Sequence, residues 1–116
     1  QSPLQIGNRV TTADLELGGK KLPAGTYLHL SIAGANRDPK EFPEPERIDI
    51  ARKPNRHVAF AMGHHVCLGA TLARMEGQIA IGKLVRRFPK IMSSGPAISM
   101  GLARFRGFNS MPMSIY

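Results

Sequence analysis

The sequence predicts an α+β chain: a strand-rich front, one long helix and a weakly β tail. Three observations carry this prediction. The front third alternates apolar and polar residues and is punctuated by glycine and proline. Positions 70 to 88 hold good helix formers, with no proline before Pro89. Between them lies "FAMGHHVCLG", Phe60 to Gly69, a glycine-bounded stretch that contains the single cysteine of the 116 residues.

The elements follow in order. Val10 to Leu17 leads into "GGKKLPAGT", a hairpin signal with Gly18-Gly19 at its turn. "TYLHLSI" alternates, which puts Leu28, Leu30 and Ile32 on one face of a strand. "ANRDPKEFPEPERIDIARKPN" has four prolines in 21 residues and little periodicity. Long irregular segments of this kind tend to be functional or held down by polar contacts. In the helix, Leu68, Leu72, Met75 and Ile79 mark one apolar stripe, and Ile81, Leu84, Val85 and Phe88 mark another. A helix apolar on two sides expects cover on two sides. The tail, Ile98 to Tyr116, has Gly101 and Gly107 as expected turns.

Length and composition fit one soluble globular unit: 42% of residues are hydrophobic and 21% charged. No apolar run is long enough to span a bilayer, and no basic-then-apolar segment opens the chain. One cysteine excludes an internal disulfide framework, and a reducing, cytoplasmic location is the default expectation. Charge is uneven. Residues 1–50 net −1, whereas residues 51–116 carry ten Lys/Arg against Glu76 alone, net +9. A basic half suggests an acidic partner, and a solvated surface explains scattered charges equally well. The basic residues are interspersed with apolar ones rather than run together, so nucleic acid is not the expected partner.

Cys67 is placed at the start of the helix. A helix N-terminus presents unpaired N–H groups and partial positive charge, which favour thiolate over thiol. Gly63 and Gly69 permit tight turns and close backbone approach to the sulfur, and Phe60 supplies a flat apolar face. Four readings compete. The first is a small buried free cysteine. The second is a zinc site with His57, His64 and His65, whose spacing matches no standard ligand pattern. The third is a nucleophile served by His57 or His65, for which no local signature exists. The fourth is a thiolate ligand to haem iron.

"FAMGHHVCLGATLAR" resembles the haem-binding loop of the cytochrome P-450 superfamily, the haem-thiolate monooxygenases. That loop reads F-x-x-G-x-H-x-C-x-G, met here by Phe60, Gly63, His65, Cys67 and Gly69. "ATLARME" resembles the start of the family's proximal helix, as in soluble bacterial members. "ANRDP" and "FPEPERIDI" are also family-like, so the resemblance covers most of the chain. It implies the C-terminal part of the P-450 fold: β-sheet and meander over 1–50, Cys-ligand loop over 51–69, proximal helix over 70–88, and a closing β-hairpin over 89–116. These make a single partial domain.

By the same resemblance the cofactor is haem b, with Cys67 as axial iron ligand, its sulfur donating electron density that favours O–O cleavage. Phe60 would pack against the porphyrin. His65 and Arg9 would bond haem propionates, an arginine fork being well suited to a carboxylate. Arg47 matches the meander arginine. His57 reads as structural support, His29 and His64 have weaker cases, and Met62 and Met75 read as packing residues. Read as surface features, Arg9 and Arg47 are exposed charges and His65 a loop histidine bonded to backbone. In the full enzyme a ferredoxin or flavodoxin-type donor would supply electrons for oxygen insertion into a small organic substrate. Arg74, Lys83, Arg86 and Arg87 are candidate contacts for that acidic donor, or simply a solvated helix face.

The sequence departs from the family pattern in two ways. Ala61 follows Phe60 where the family usually has glycine or a small polar residue, which would stiffen or shift the first turn. Complete members are several times longer, and no distal helix with its acid–alcohol pair is present, so no catalytic residue is assigned. Glu44 and Arg47 have Glu-x-x-Arg spacing, but Pro45 between them rules out that helix. The expectation is therefore the haem-binding portion of a monooxygenase that does not turn over in isolation. A truncated, inactive remnant with little or no haem binding is the alternative, and a basic nucleic-acid-binding module is a third reading. Exposed apolar surface, and with it self-association, is expected in each case.

Overall fold

The computed structural model describes residues 2–116. It comprises two compact units. One runs to Ala59 and adds Ala103–Phe105, and the other takes Phe60–Leu102 with Arg106–Tyr116.

The first unit is built on a strand pair. β1 (Ile6–Val10) and β4 (Tyr27–Ser31) run antiparallel, in register from Ile6↔Ser31 to Val10↔Tyr27. Between them β2 (Leu15–Leu17) and β3 (Lys20–Leu22) form a hairpin. Gly18 and Gly19 turn it with φ of 59° and 75°. Positive φ at both central positions is what the tight hairpin turn requires, and glycine adopts it without a Cβ clash. Val10 to Leu17 spans the end of β1 and the whole of β2, and Thr11 follows β1 directly. Its hydroxyl donates to the Pro23 carbonyl at 2.6 Å and accepts from the Thr26 N–H at 2.9 Å. Its backbone exchanges further bonds with Thr26 and Gly25. Thr11 is buried. Thr11→Val keeps the shape and removes both hydroxyl bonds, while the Pro23 carbonyl still accepts from the Thr26 hydroxyl at 2.7 Å and the Thr26 N–H at 3.2 Å. The loss of two hydrogen bonds is expected to cost about 1–3 kcal/mol in a urea unfolding experiment.

Ile32, expected on the strand face with Leu28 and Leu30, instead opens the short helix α1 (Ile32–Ala35). The Ser31 hydroxyl accepts from the Gly34 N–H and caps that turn, which ends the strand at Ser31. The proline-rich segment that follows is irregular and held by polar contacts. Asn36 accepts the Val58 N–H on its side-chain oxygen at 2.8 Å, and Arg37 pairs with Glu46 at 3.1 Å. The Arg52 guanidinium donates to the carbonyls of Pro43, Glu44 and Arg47 at 2.6, 3.3 and 3.4 Å. One fork thus serves three loop carbonyls, that of Glu44 also accepting the Arg47 N–H at 3.0 Å. Phe42 is buried here.

In the second unit the Cys loop feeds α2 (Ala70–Arg87), 18 residues long. The helix stops where Phe88 adopts extended backbone before Pro89, and the Phe88 N–H closes the last turn on the Leu84 carbonyl at 3.0 Å. Arg86 and Arg87 sit in that last turn, where cations are favoured. The tail forms two antiparallel pairs, β5 (Ile91–Ser93) with β8 (Met113–Ile115) and β6 (Ile98–Ser99) with β7 (Phe108–Ser110). Gly101 turns with φ of 67°. Gly107 is not a turn: its carbonyl accepts from the Met100 N–H and continues the pairing. A Cβ at Gly107 would stand 2.7 Å from the sulfur of the exposed Met100, so that side chain would have to move. Among the described residues, the buried apolar side chains are Phe42 and Ala70.

Candidate functional site

The loop from Phe60 to Gly69 is fixed by its backbone. The Cys67 N–H donates to the Phe60 carbonyl at 2.8 Å and closes the loop on itself. Inside it, Gly63–His65 form one 3-10 turn, and the Val66 N–H donates to the Gly63 carbonyl at 3.1 Å. The Ala70 N–H then donates to the Cys67 carbonyl at 3.1 Å, and the Ala73 N–H to the Gly69 carbonyl at 2.9 Å. The helix is capped by Gly69, so Cys67 lies two residues before the cap rather than on the first turn. Its thiol is free and exposed.

The two glycines of the loop differ. Gly63 has φ of 62°, a conformation that favours glycine, although a Cβ there would meet nothing within 4 Å. Gly69 has an ordinary φ of −82°, and a Cβ there would stand 4.0 Å from the Cys67 sulfur, ordinary contact. Within this chain, then, backbone demands glycine at position 63 and not at 69.

Ala61 is the strained position, with φ of 59°. Left-handed backbone costs an L-residue with a Cβ roughly 1–2 kcal/mol. Ala61→Gly relieves that strain and gives back part of the gain as unfolded-chain entropy. It is expected to raise stability by about 0.5–1 kcal/mol, read as a higher urea midpoint at unchanged slope.

Other site candidates are placed as follows. His64 and His65 are exposed, on the 3-10 turn. His57 is half-buried and accepts the Ala59 N–H on Nδ1 at 3.2 Å. Arg9 belongs to the other unit, on β1, where its guanidinium donates to the Asn8 carbonyl at 2.7 Å. Arg47 is exposed and pairs with Glu44 at 2.9 Å. Composition and periodicity do not reveal one contact: the Arg74 guanidinium lies over the Phe60 ring, 4.6 Å from its centroid.

The buried-cysteine reading fails because the sulfur is exposed. Among the described residues, no group of three or more His, Cys, Asp or Glu side chains is arranged to hold a metal ion, which removes the zinc reading.

The family model described as cytochrome P-450 matches residues 2–107. The chain belongs to the cytochrome P-450 family. The biotin biosynthesis cytochrome P-450 of Bacillus subtilis is 45% identical over 91 residues, covering 78% of this chain and 23% of its own length. The crystal structure of P450BioI, in complex with an acyl carrier protein ligated with hexadec-9Z-enoic acid, superposes on all of this chain. Its TM-score is 0.95 at 39% identity, and 30% of that protein is covered. The post-tailoring hydroxylase HmtN, involved in himastatin biosynthesis, gives a TM-score of 0.92 at 38% identity, covering 99% of this chain and 32% of that one. The chain therefore spans about a quarter to a third of the length of the P-450 relatives it matches. Among the described residues, no helix is long and apolar enough to cross a membrane.

The residues fit the haem that the P-450 family implies. The iron requires one protein donor on this side, and Cys67 offers an exposed sulfur on a loop tied at its own amide. The positive φ of Ala61 and Gly63 turns that loop.

Proposed function

We propose that this chain forms the proximal, thiolate-bearing side of a haem-thiolate monooxygenase and binds haem b. The exposed Cys67 sulfur on its tied loop carries the reading. Cys67 holds the iron, Phe60 lies against the macrocycle, and Gly63 and Gly69 keep the approach free of side chains. His65 and Arg9 bond the propionates. Bound haem supplies the iron-centred oxygen chemistry by which the family oxidises small organic molecules.

The basic residues of α2 suit an acidic electron donor of ferredoxin or flavodoxin type. Arg86 and Arg87 end the helix, and Lys83 stands one turn before them. Net charge of +9 over residues 51–116 supports steering of such a partner.

The test is a haem titration of the 116-residue chain, then reduction and carbon monoxide. A saturable one-to-one complex with the strongly red-shifted ferrous–CO band of thiolate ligation supports the proposal. No saturable binding, or a band typical of histidine ligation, overturns it for these residues alone. His65→Ala and Arg9→Ala should each weaken haem retention about fivefold to fiftyfold, the loss of one charge-assisted hydrogen bond, and leave the ligand signature unchanged. Unchanged affinity in both variants removes the propionate roles.

A further inference from the structure

We propose that Arg74 is a positioning residue for the Cys67 loop, and that it acts by clamping Phe60. The proposal rests on the reading of Cys67 as the thiolate ligand. Phe60 is held at its carbonyl by the Cys67 N–H, 2.8 Å away. It is held at its ring by the Arg74 guanidinium, 4.6 Å from the centroid. Both holding groups belong to one continuous segment. Cys67 leads into α2, and Arg74 lies on its second turn.

Helical side chains lean toward the helix N-terminus, so Arg74 reaches back over the loop rather than forward along the helix. The result is a closed circuit: Phe60 ring to Arg74, Arg74 along α2 to Cys67, and Cys67 amide back to the Phe60 carbonyl. A ligand loop that must hold a sulfur to within a fraction of an ångström needs such support, because its first turn is strained at Ala61 and its second is a glycine. A guanidinium suits the task. It is planar, permanently charged and weakly hydrated, so it stacks on an aromatic face while its edge stays in water. Arg74 thereby has a role inside the loop that Lys83, Arg86 and Arg87 do not share.

The test needs no haem, so its failure is separable from failure of haem binding. Hydrogen exchange at the Cys67 amide reports the bond that closes the loop. Arg74→Ala should speed that exchange about two- to fivefold, the effect of losing one partly exposed cation–π contact. Alanine favours helix, so α2 itself is not weakened. Arg74→Lys should restore at least half of the protection, since it keeps a cation over the ring. In a Phe60→Leu background, Arg74→Ala should have no further effect on Cys67 exchange. Unchanged exchange in Arg74→Ala overturns the proposal. So does an equal effect in the Phe60→Leu background, or a lysine variant as unprotected as the alanine one.

Discussion

Replacing Cys67 with alanine is expected to abolish the thiolate signature of the haem-loaded chain entirely. The red-shifted ferrous–CO band should vanish, because no other sulfur in the loop can take its place: Met62 is a thioether, and the chain has no second cysteine. The fold should survive. The Cys67 side chain is exposed, and both loop-closing bonds use its backbone, the N–H to Phe60 and the carbonyl to Ala70. Alanine keeps those groups, so circular dichroism and the urea midpoint should move by less than about 0.5 kcal/mol, as expected of a surface substitution. This combination separates a ligand from a structural cysteine. A structural cysteine would lose stability and leave any haem spectrum alone. Residual haem bound by Cys67→Ala should carry a histidine-type or weak-field spectrum, and a spectrum like that of the parent chain would remove the ligand assignment.

Local signals in the sequence were reliable where one physical cause acted alone. Gly18-Gly19 between two short β runs predicted the hairpin, and both glycines have the positive φ it needs. The run of helix formers up to Pro89 predicted α2, which ends at Arg87. Legibility failed where a side chain competed with the backbone pattern. Ser31 caps the Gly34 N–H and turns an expected strand residue, Ile32, into a helix start. That event leaves no periodicity. Gly107 illustrates the other failure: a glycine signals a turn, but here its carbonyl accepts the Met100 N–H and continues a strand pairing, a contact visible only in three dimensions. In the site, the motif spacing located the loop, and Ala61 stood out as the departure from it. The left-handed backbone at Ala61 is a conformation that glycine adopts without a Cβ clash. The stacking of Arg74 on Phe60 depends on how the loop folds back, which spacing alone does not encode.

The 116-residue chain in solution is expected to self-associate, with α2 at the contact. The accessible surface is 9629 Å². Two separate compact bodies sharing the mass of this chain would expose only about 7,500 Å² between them. Large apolar side chains contribute to it. On one stripe of α2, Leu72, Met75 and Ile79 are each about half exposed, and on the other so are Ile81, Leu84 and Val85. A helix with two such stripes buries them when cover is available, and a second copy of the chain is the cover present in a purified sample. Sedimentation velocity should show a mass that rises with protein concentration. Each half-exposed leucine or isoleucine covered by a partner contributes about 1 kcal/mol, half the value for full burial. In a two-fold contact both copies lose both side chains, so replacing Leu72 and Ile79 together with lysine should weaken association roughly a thousandfold, and more if the charges repel. The Ile81 and Leu84 pair gives the matching test of the second stripe. If only one pair weakens association, the contact uses that stripe and leaves the other exposed. Net charge of +8 opposes close approach of two copies, so added salt should strengthen the association if apolar cover drives it. A mass that stays monomeric at every concentration and salt level would show that these stripes are tolerated in water, and would sink the prediction.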